Sequence, residues 1–275
     1  MHEIEALEEN HDYKGQQQEN GAEKVPAKPP LFRQARMDDV AFLLDYEHDD
    51  NRWFWNARYV DFGDDFRADM GFINRVDVRE LDLAGGYFWH FGPESNISRI
   101  HYRVTYEESR DEAGNKLNEA AGMGINARGP MQSYVLITYN QGERFYNRRL
   151  FDHYTLSFTG RITPWAGVEI SVDAEFGDSI DYVNTRPGRM LTIAPRLDLR
   201  IGKYFQAALR HNFQKMDVTG GKLYETNLSD LRVTYQFTIR SFLRVTVQYS
   251  DTKRDQSLYI SEVDGRSKDI TSQIL

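Results

Sequence analysis

The chain has no cysteine among its 275 residues. It therefore cannot form disulfides, use a thiolate as a nucleophile or bind a metal through sulfur. It also lacks any run of 18 apolar residues, which excludes a transmembrane helix. Its net charge is −8, and its lysines and arginines form no continuous basic stripe. That charge distribution predicts no nucleic-acid partner.

Sequence motifs for catalysis and cofactor binding are also missing. The sequence contains no H-E-x-x-H, no G-x-S-x-G, no phosphate-binding loop and no dinucleotide fingerprint. Five dispersed histidines are expected to be hydrogen-bonded structural residues rather than metal ligands: His48, His90, His101, His153 and His211. We therefore predict no catalytic residue, no metal and no cofactor, and favour a protein without enzymatic activity.

The first 31 residues do not have the composition of a folded core. They begin MHEIEALEEN, which is acidic and lacks the basic and then apolar stretches of a secretory signal peptide. Glutamate and glutamine remain frequent up to the proline-spaced VPAKPP. The sequence predicts a disordered polar segment over residues 1–31 and a β domain over residues 32–275.

The β domain shows a two-residue period. From 168 to 176 the apolar series is Val168, Ile170, Val172, Ala174 and Phe176, and the polar series is Glu169, Ser171, Asp173 and Glu175. The segments 231–240 and 243–250 alternate in the same way. Each such segment has one apolar and one charged face, because strand side chains point to opposite sides in turn. About twelve strands fit this pattern, and Gly85–Gly86 predicts a bulge or a bend.

The links between these strands alternate in length. The short links are His48–Asn51, Gly92–Asn96, Arg128–Pro130, Thr163–Gly167, Gly202–Lys203 and Arg240–Ser241. The long links are Asp61–Asn74, Glu107–Asn118, Asn140–Phe151, Gly177–Arg189, Gln214–Thr226 and Ser250–Ile270. Successive hairpins of an up-and-down barrel point to opposite ends, so all long links would lie at one end. Outer-membrane barrels have this asymmetry of short periplasmic turns and long extracellular loops.

The sequence therefore predicts an all-β, antiparallel up-and-down β-barrel of the outer-membrane type. Strands of about 9–11 residues suffice to cross a bilayer when they are tilted. The expected partner is the lipid bilayer, with lipopolysaccharide or another saccharide as a candidate ligand of the long loops. Aromatic residues near strand ends would lie at headgroup level: Trp53, Trp55, Tyr59, Tyr87, Trp89, Tyr139, Phe145, Tyr146, Trp165, Tyr204 and Tyr249.

The charged face of the strands would line the barrel lumen. The candidate lumen residues are Arg103, Glu169, Asp173, Glu175, Arg196, Asp198, Arg200, Arg232, Arg240 and Arg244. Opposite charges could pair across the sheet and fill a small barrel, or they could line a water-filled pore and tune its selectivity. In a soluble barrel the same residues would form a solvated surface.

Two acidic loops are candidate calcium sites. The first contains Asp61, Asp64, Asp65 and Asp69. Carboxylates suit calcium, but the spacing is not that of an EF-hand, and pairing with Arg67 and Arg75 is the favoured interpretation. The second, at 177–189, contains Asp178 and Asp181 together with Arg186 and Arg189, and the same interpretation applies.

The chain ends suggest an incomplete barrel. If the short links are periplasmic, the strand at 40–47 runs inward, and a new strand begins at Ile270 shortly before Leu275. We therefore expect a barrel truncated at both ends, with an export signal upstream of Met1 and a location in the bacterial outer membrane.

Two stretches resemble one family of uncharacterised bacterial envelope proteins. In DFRADMGFINRVDVRE (65–80) the matching positions are Phe66, Gly71, Phe72, Arg75 and Asp77, and Ala68 stands where the family has proline. In NLSDLRVTYQFTIRSFLRVTVQYSDTKRD (227–255) they are Asn227, Leu231, Tyr235, Gln236, Phe237, Arg244, Gln248 and Tyr249. In that family a sandwich similar to family-9 carbohydrate-binding modules precedes a C-terminal barrel-like domain. The resemblance covers most of 40–275 and implies the barrel domain alone.

Three functions remain open from the sequence. The favoured one is an outer-membrane barrel that acts in transport, export or surface anchoring without catalysis. The second is a soluble β-barrel or sandwich that binds a glycan or a small apolar ligand. The third is an envelope-associated hydrolase whose catalytic groups lie in the loops.

Overall fold

The computed structural model describes residues 41–64 and 76–275. They contain a 3-10 helix, Gln256–Leu258, and thirteen strands. The strands are β1 (Ala41–Asp49), β2 (Trp53–Phe62), β3 (Val78–His90), β4 (Arg99–Arg110), β5 (Lys116–Arg128), β6 (Tyr134–Tyr146), β7 (Arg149–Trp165), β8 (Val168–Asp181), β9 (Arg186–Ile201), β10 (Phe205–Val218), β11 (Gly221–Thr238), β12 (Ser241–Arg254) and β13 (Arg266–Ile274). The polar segment predicted at 1–31 lies outside the described residues.

All thirteen strands belong to one sheet, and each pairs antiparallel with the next in the sequence. This confirms the predicted all-β, up-and-down class, with thirteen strands rather than about twelve. Within the described chain β1 and β13 are the edges of the sheet. These two strands run in the same direction, because they are separated by an even number of antiparallel steps.

The predicted contrast in loop length is wrong at four of the six long links. The strands there continue to turns at 111–115, 147–148, 182–185 and 219–220, so β11 reaches 18 residues. The polar residues stay in the strands because each pairs in register with a neighbour. Asn147 and Arg148 form the whole β6–β7 turn, both with positive φ (46° and 65°), as the tightest hairpin turns require.

The two ends of the sheet differ in composition instead. The first end holds the connections 50–52, 91–98, 129–133, 166–167, 202–204 and 239–240. We call it the tryptophan end, because all four tryptophans of the chain lie near it: Trp53, Trp55, Trp89 and Trp165. We call the opposite end, where the β12–β13 connection 255–265 lies, the charged end.

The strand register aligns the apolar side chains on one face. Ile170 is opposite Leu197, which is opposite Leu209, and the row continues through Leu231 to Val247. Since alternate residues point to opposite sides, the residues between them form a second, polar face. We refer to these as the apolar face and the polar face.

The register also corrects one local prediction. Gly85 and Gly86 keep an unbroken register with both β2 and β4, so the predicted bulge is wrong. Register shifts occur instead beside Leu117 and Leu223, which are left without a partner in β4 and β10. Both leucines are buried, so each of these bulges turns an apolar side chain into the protein.

Among the described residues, buried hydrophobic side chains lie only at the charged end. Each is within three residues of a strand terminus there: Val60, Val78, Leu117, Phe151, Ile180, Met216 and Leu223. The other strand residues are half-buried or exposed on both faces, apart from Thr155, Gly177, Asp181 and Asp251. The fold therefore has a small packed region at one end and an open sheet beyond it.

Candidate functional site

The apolar face is open over most of its area. Ile170, Leu209 and Leu231 lie within their strands and remain 45%, 45% and 40% exposed. A soluble monomer rarely exposes a continuous apolar patch of more than a few hundred Å². This face therefore needs an apolar partner.

The apolar face has a limited height along each strand. On β12 it extends from Leu243 to Tyr249, and on β10 it extends from Phe205 to Phe213. Seven to nine residues at about 3.3 Å per residue give roughly 20–30 Å along the strand. The apolar band of outer-membrane barrels is about 25 Å tall.

Aromatic residues border the apolar face at the tryptophan end. The Trp53 and Tyr87 rings pack edge to face at 4.4 Å, and the Tyr87 and Trp89 rings at 4.7 Å. Trp53, Trp55 and Trp165 are all more than half exposed. Exposed tryptophan and tyrosine rings suit a membrane interface, where one part of the ring is apolar and the other is hydrated.

Tyrosines border the apolar face at the opposite limit. The hydroxyl groups of Tyr59 and Tyr249 donate to carboxylates two residues further along the same strand, at 3.2 and 3.4 Å. Tyr139 donates to Gln141 at 2.9 Å in the same way. The ring of each tyrosine thus belongs to the apolar face and its hydroxyl to the charged end.

Beyond these tyrosines the same face becomes charged. We call this region the charged belt, and its ion pairs are Asp61–Arg79, Glu108–Arg110, Lys116–Glu119, Lys116–Glu143, Lys215–Asp217, Lys222–Glu225, Lys253–Glu225 and Asp251–Arg266. These residues continue the positions of the apolar side chains: Asp251 follows Tyr249, and Lys253 follows Asp251. The face therefore changes from apolar to ionic along each strand.

The polar face carries the residues predicted to line a lumen. Every one of them lies on it except Arg240, which is in the 239–240 turn. Some interact with one another: Arg161 is 3.5 Å from Glu169, and Arg196 pairs with Asp198. Within the described chain Arg103, Arg200 and Arg232 have no carboxylate partner. Whether this face surrounds a lumen remains a prediction.

Glycines allow the strands to approach closely on the polar face. A Cβ on Gly86 would overlap the Tyr102 carbonyl, and one on Gly142 or Gly177 would overlap a backbone carbonyl of β5 or β7. Gly85 on the apolar face has ordinary room, with the nearest atom at 3.6 Å from a Cβ. Closer backbone contact on the polar side is what local curvature toward that side requires.

A polar cavity of about 470 Å³ lies on this face toward the charged end. Its lining includes Glu107, Asn140, Arg144, His153, Ser157 and Glu175. The carboxylates are not grouped with histidines as a metal site would need, and the described residues contain no cluster of three or more such ligands.

The other residues singled out in the sequence make the following contacts where they are described. His101 hydrogen-bonds Asn126 at 2.9 Å, and His211 hydrogen-bonds Ser229 at 2.9 Å, so both are hydrogen-bonded as expected. Asp61 pairs with Arg79 at 3.3 Å. Of the family-signature positions, Asp77 has positive φ and accepts from the Glu112 amide at 2.8 Å. Phe66, Gly71, Phe72 and Arg75 lie outside the described residues, as do Asp65, Asp69 and Arg67.

The β8–β9 turn at the charged end is packed, and Asp181 pairs with Arg186 as the sequence analysis expected. Asp181 is only 4% exposed and accepts from the Arg186 Nε at 2.9 Å. Arg186 also donates to the Leu258 carbonyl, and the Ile260 amide donates to Asn184 at 3.2 Å. These hydrogen bonds hold the β12–β13 connection against the β8–β9 turn, which lies four strands away in the sheet order.

Sequence reasoning missed the charged belt and this fastened connection. A signal for the belt was present, since charged residues occupy the apolar positions of β12 from Asp251 onward. Nothing local in the sequence connects Leu258 or Ile260 with Arg186 and Asn184, because that contact spans more than 70 residues.

Comparisons with other proteins add little to this description. No family model and no curated protein matches the chain. Among solved structures it is similar to in-vitro folded OmpT, an outer membrane protein of Vibrio cholerae, with 11% identity and a TM-score of 0.39 over 86% of this chain and 94% of that one. The trimer form of OmpT gives 11% identity and a TM-score of 0.37 over 84% and 94%. No helix among the described residues is long and apolar enough to span a membrane.

Proposed function

We propose that this chain is a membrane-embedded β-sheet of the bacterial outer membrane, with a role in transport, export or surface anchoring. The observation that carries the proposal is the apolar face. It is continuous across the strands through the register, it is exposed, and it is limited by aromatic residues at one end and by the charged belt at the other. A lipid bilayer offers the matching sequence of headgroup, hydrocarbon and headgroup layers.

The orientation of the faces disfavours a soluble barrel. In a soluble barrel the apolar residues fill the interior. Here Leu209 and Leu231 stay at least 40% exposed in mid-strand, and the packed hydrophobic residues are restricted to the charged end. The polar face would then line the interior, where Arg103, Arg200 and Arg232 would contact water.

The polar face also bears on the specific role of the protein. Unpaired arginines beside paired ones favour a hydrated passage over a sheet interior closed by salt bridges. The charged belt and the 255–265 connection would lie beyond the bilayer, where a lipopolysaccharide or another saccharide could bind. We also propose that the chain belongs to the envelope family that its sequence resembles.

Tryptophan fluorescence tests the membrane proposal directly. All four tryptophans lie at one end of the sheet, so they report a single depth. In bilayers we expect strong quenching by lipids brominated near the ester carbonyl and weaker quenching by lipids brominated deep in the chain.

Two variants supply matched controls. Leu231→Trp places a reporter at the middle of the apolar face and should add a component quenched best by deep bromines. Arg232→Trp places one on the polar face at the same height and should add a component insensitive to bromolipid. A wild-type protein that stays monodisperse without detergent, and whose tryptophans no bromolipid quenches, would disprove membrane insertion.

A further inference from the structure

A basic and aromatic cluster lies on the polar face of β2–β5 near the tryptophan end. The His101 ring stacks on Phe88 with centroids 4.1 Å apart and an interplanar angle of 12°. The Arg99 guanidinium lies 5.3 Å from the centre of the same ring, and the Arg103 guanidinium lies 5.9 Å from the Phe54 ring. The aromatic faces hold these cations through their π electrons and leave the N–H donors unused.

Among the residues that the structure describes, no carboxylate pairs with the arginines of the cluster. The β3 residues opposite Arg99, His101 and Arg103 are His90, Phe88 and Gly86. The β5 residues opposite them are Arg128, Asn126 and Gly124. Within the described chain neither Arg99 nor Arg103 forms an ion pair. The positive charge is therefore uncompensated by the neighbouring strands.

Donors also outnumber acceptors in the cluster. Asn126 Nδ2 donates to His101 Nδ1 at 2.9 Å, which leaves Nε2 of a neutral imidazole as the protonated nitrogen. Among the described residues neither His101 Nε2 nor Arg99 Nε has a hydrogen-bond partner. A surplus of donors without acceptors favours an anion nearby.

A groove of about 320 Å³ adjoins the cluster and lies over Gly124. Its polar lining comprises His101, Arg103, Thr105, Asn126, Tyr134, Thr138 and Asn140. It contains one guanidinium, hydroxyl and amide groups, and no carboxylate. The absence of a side chain at Gly124 keeps its floor open.

From these observations we infer that the groove over Gly124 binds a small oxyanion, either a carboxylate or a phosphate group of a free solute, with Arg103 as its anchor. The guanidinium offers two parallel donors to such a group. Arg99 raises the local positive potential, and the Asn and Thr side chains can bind hydroxyl groups of the same solute. The inference depends on the polar face alone and does not require membrane insertion.

Calorimetric titration of the full chain, folded in a zwitterionic detergent, tests the inference. Inorganic phosphate and gluconate serve as the two probes. We expect saturable binding of at least one, weakened about tenfold or more in Arg103→Gln, because a charge-assisted bidentate contact is lost. Arg232→Gln is the matched control, since Arg232 is a polar-face arginine without a carboxylate partner on a distant strand, and should leave affinity unchanged.

Circular dichroism of both variants must match the wild type for the comparison to hold. Lys203→Gln, in the 202–204 turn, controls for the loss of net charge alone. Equal weakening in all three variants would overturn the site, because it would show diffuse attraction instead of a specific anchor. Failure of both probes to bind the wild type would overturn it too, whatever the bromolipid experiment shows.

Discussion

At the scale of the residue, adjacent side chains on one strand face different surroundings. Gly85 and Gly86 show this most clearly. The first lies on the apolar face with room for a methyl group, and the second lies on the polar face against the Tyr102 carbonyl and the Phe54 ring. The sequence alone does not distinguish two consecutive glycines, because the distinction depends on how close the next strand comes.

Alanine substitution at these two glycines should have opposite outcomes. Gly86→Ala should destabilise the sheet by about 1–3 kcal/mol, because its Cβ would overlap backbone that cannot move aside. Gly85→Ala should change stability by less than about 0.5 kcal/mol. Urea unfolding in detergent micelles, followed by circular dichroism, measures both. Equal stabilities would contradict the close approach of β3 to its neighbours.

Asp181 should be the most sensitive carboxylate at the charged end. It is almost fully buried and accepts from both Arg186 and Asn184, at 2.9 and 2.6 Å. Asp181→Ala leaves Arg186 without its partner and should lower the free energy of unfolding by about 2–4 kcal/mol. This is slightly less than the loss expected for a fully buried ion pair, because Arg186 is partly exposed. Asp178→Ala, three residues earlier on β8, is the control and should cost much less. Thermal unfolding measures the difference.

At the scale of the element, turns are stabilised by local hydrogen bonds. Asp50 in the β1–β2 turn accepts from the Trp53 and Arg52 amides at 2.8 and 2.6 Å. These two bonds hold the pKa of Asp50 below its usual range, the Trp53 amide contributing most. The β10–β11 turn depends instead on glycine, since Gly220 and Gly221 have φ of 106° and 141°.

The Asp50 turn predicts a pH dependence of stability. A carboxyl whose pKa is lower in the folded state stabilises the fold above its unfolded pKa of about 3.9, and this contribution disappears as the pH falls through the folded pKa. The wild type should therefore be more stable than Asp50→Ala at neutral pH, and the difference should shrink below about pH 4. Chemical unfolding at pH 7, 5 and 3 tests it; a difference that grows on acidification would refute it.

At the scale of the whole molecule, the two faces of the sheet require different environments. The apolar face aligns apolar side chains of β8 to β12 in register, whereas the polar face carries arginines and carboxylates at the same height. Such a sheet is stable when one face meets hydrocarbon and the other meets water. In the proposed membrane-embedded arrangement the charged belt would mark where the hydrocarbon ends.

Arginine substitution at neighbouring positions of β10 should separate the two environments. Leu209→Arg places a charge in the middle of the apolar face and should lower the free energy of unfolding in a bilayer by about 2–4 kcal/mol. Ala208→Arg places the same charge on the polar face and should cost far less. Stability in phosphatidylcholine bilayers is the measurement, and similar costs at both positions would contradict a lipid-facing surface.

Much of this architecture could be predicted from the alternation of apolar and polar residues along the chain. The two-residue period identified the strands, their antiparallel class and the residues that share the polar face. The lengths of the links could not be predicted from polarity. The polar residues at 214–218 and 221–226, for example, are strand residues because β10 and β11 pair there.

The sequence by itself therefore determined which side chains lie on each face, because strand geometry sends alternate residues to opposite sides wherever they pair. Only the tertiary structure decided the height of the apolar face, the ion pairs of the charged belt, the contact of Leu258 with Arg186 and the acid-free surroundings of Arg103. Those features depend on register and on contacts between distant strands. Periodicity within one strand carries no information about either.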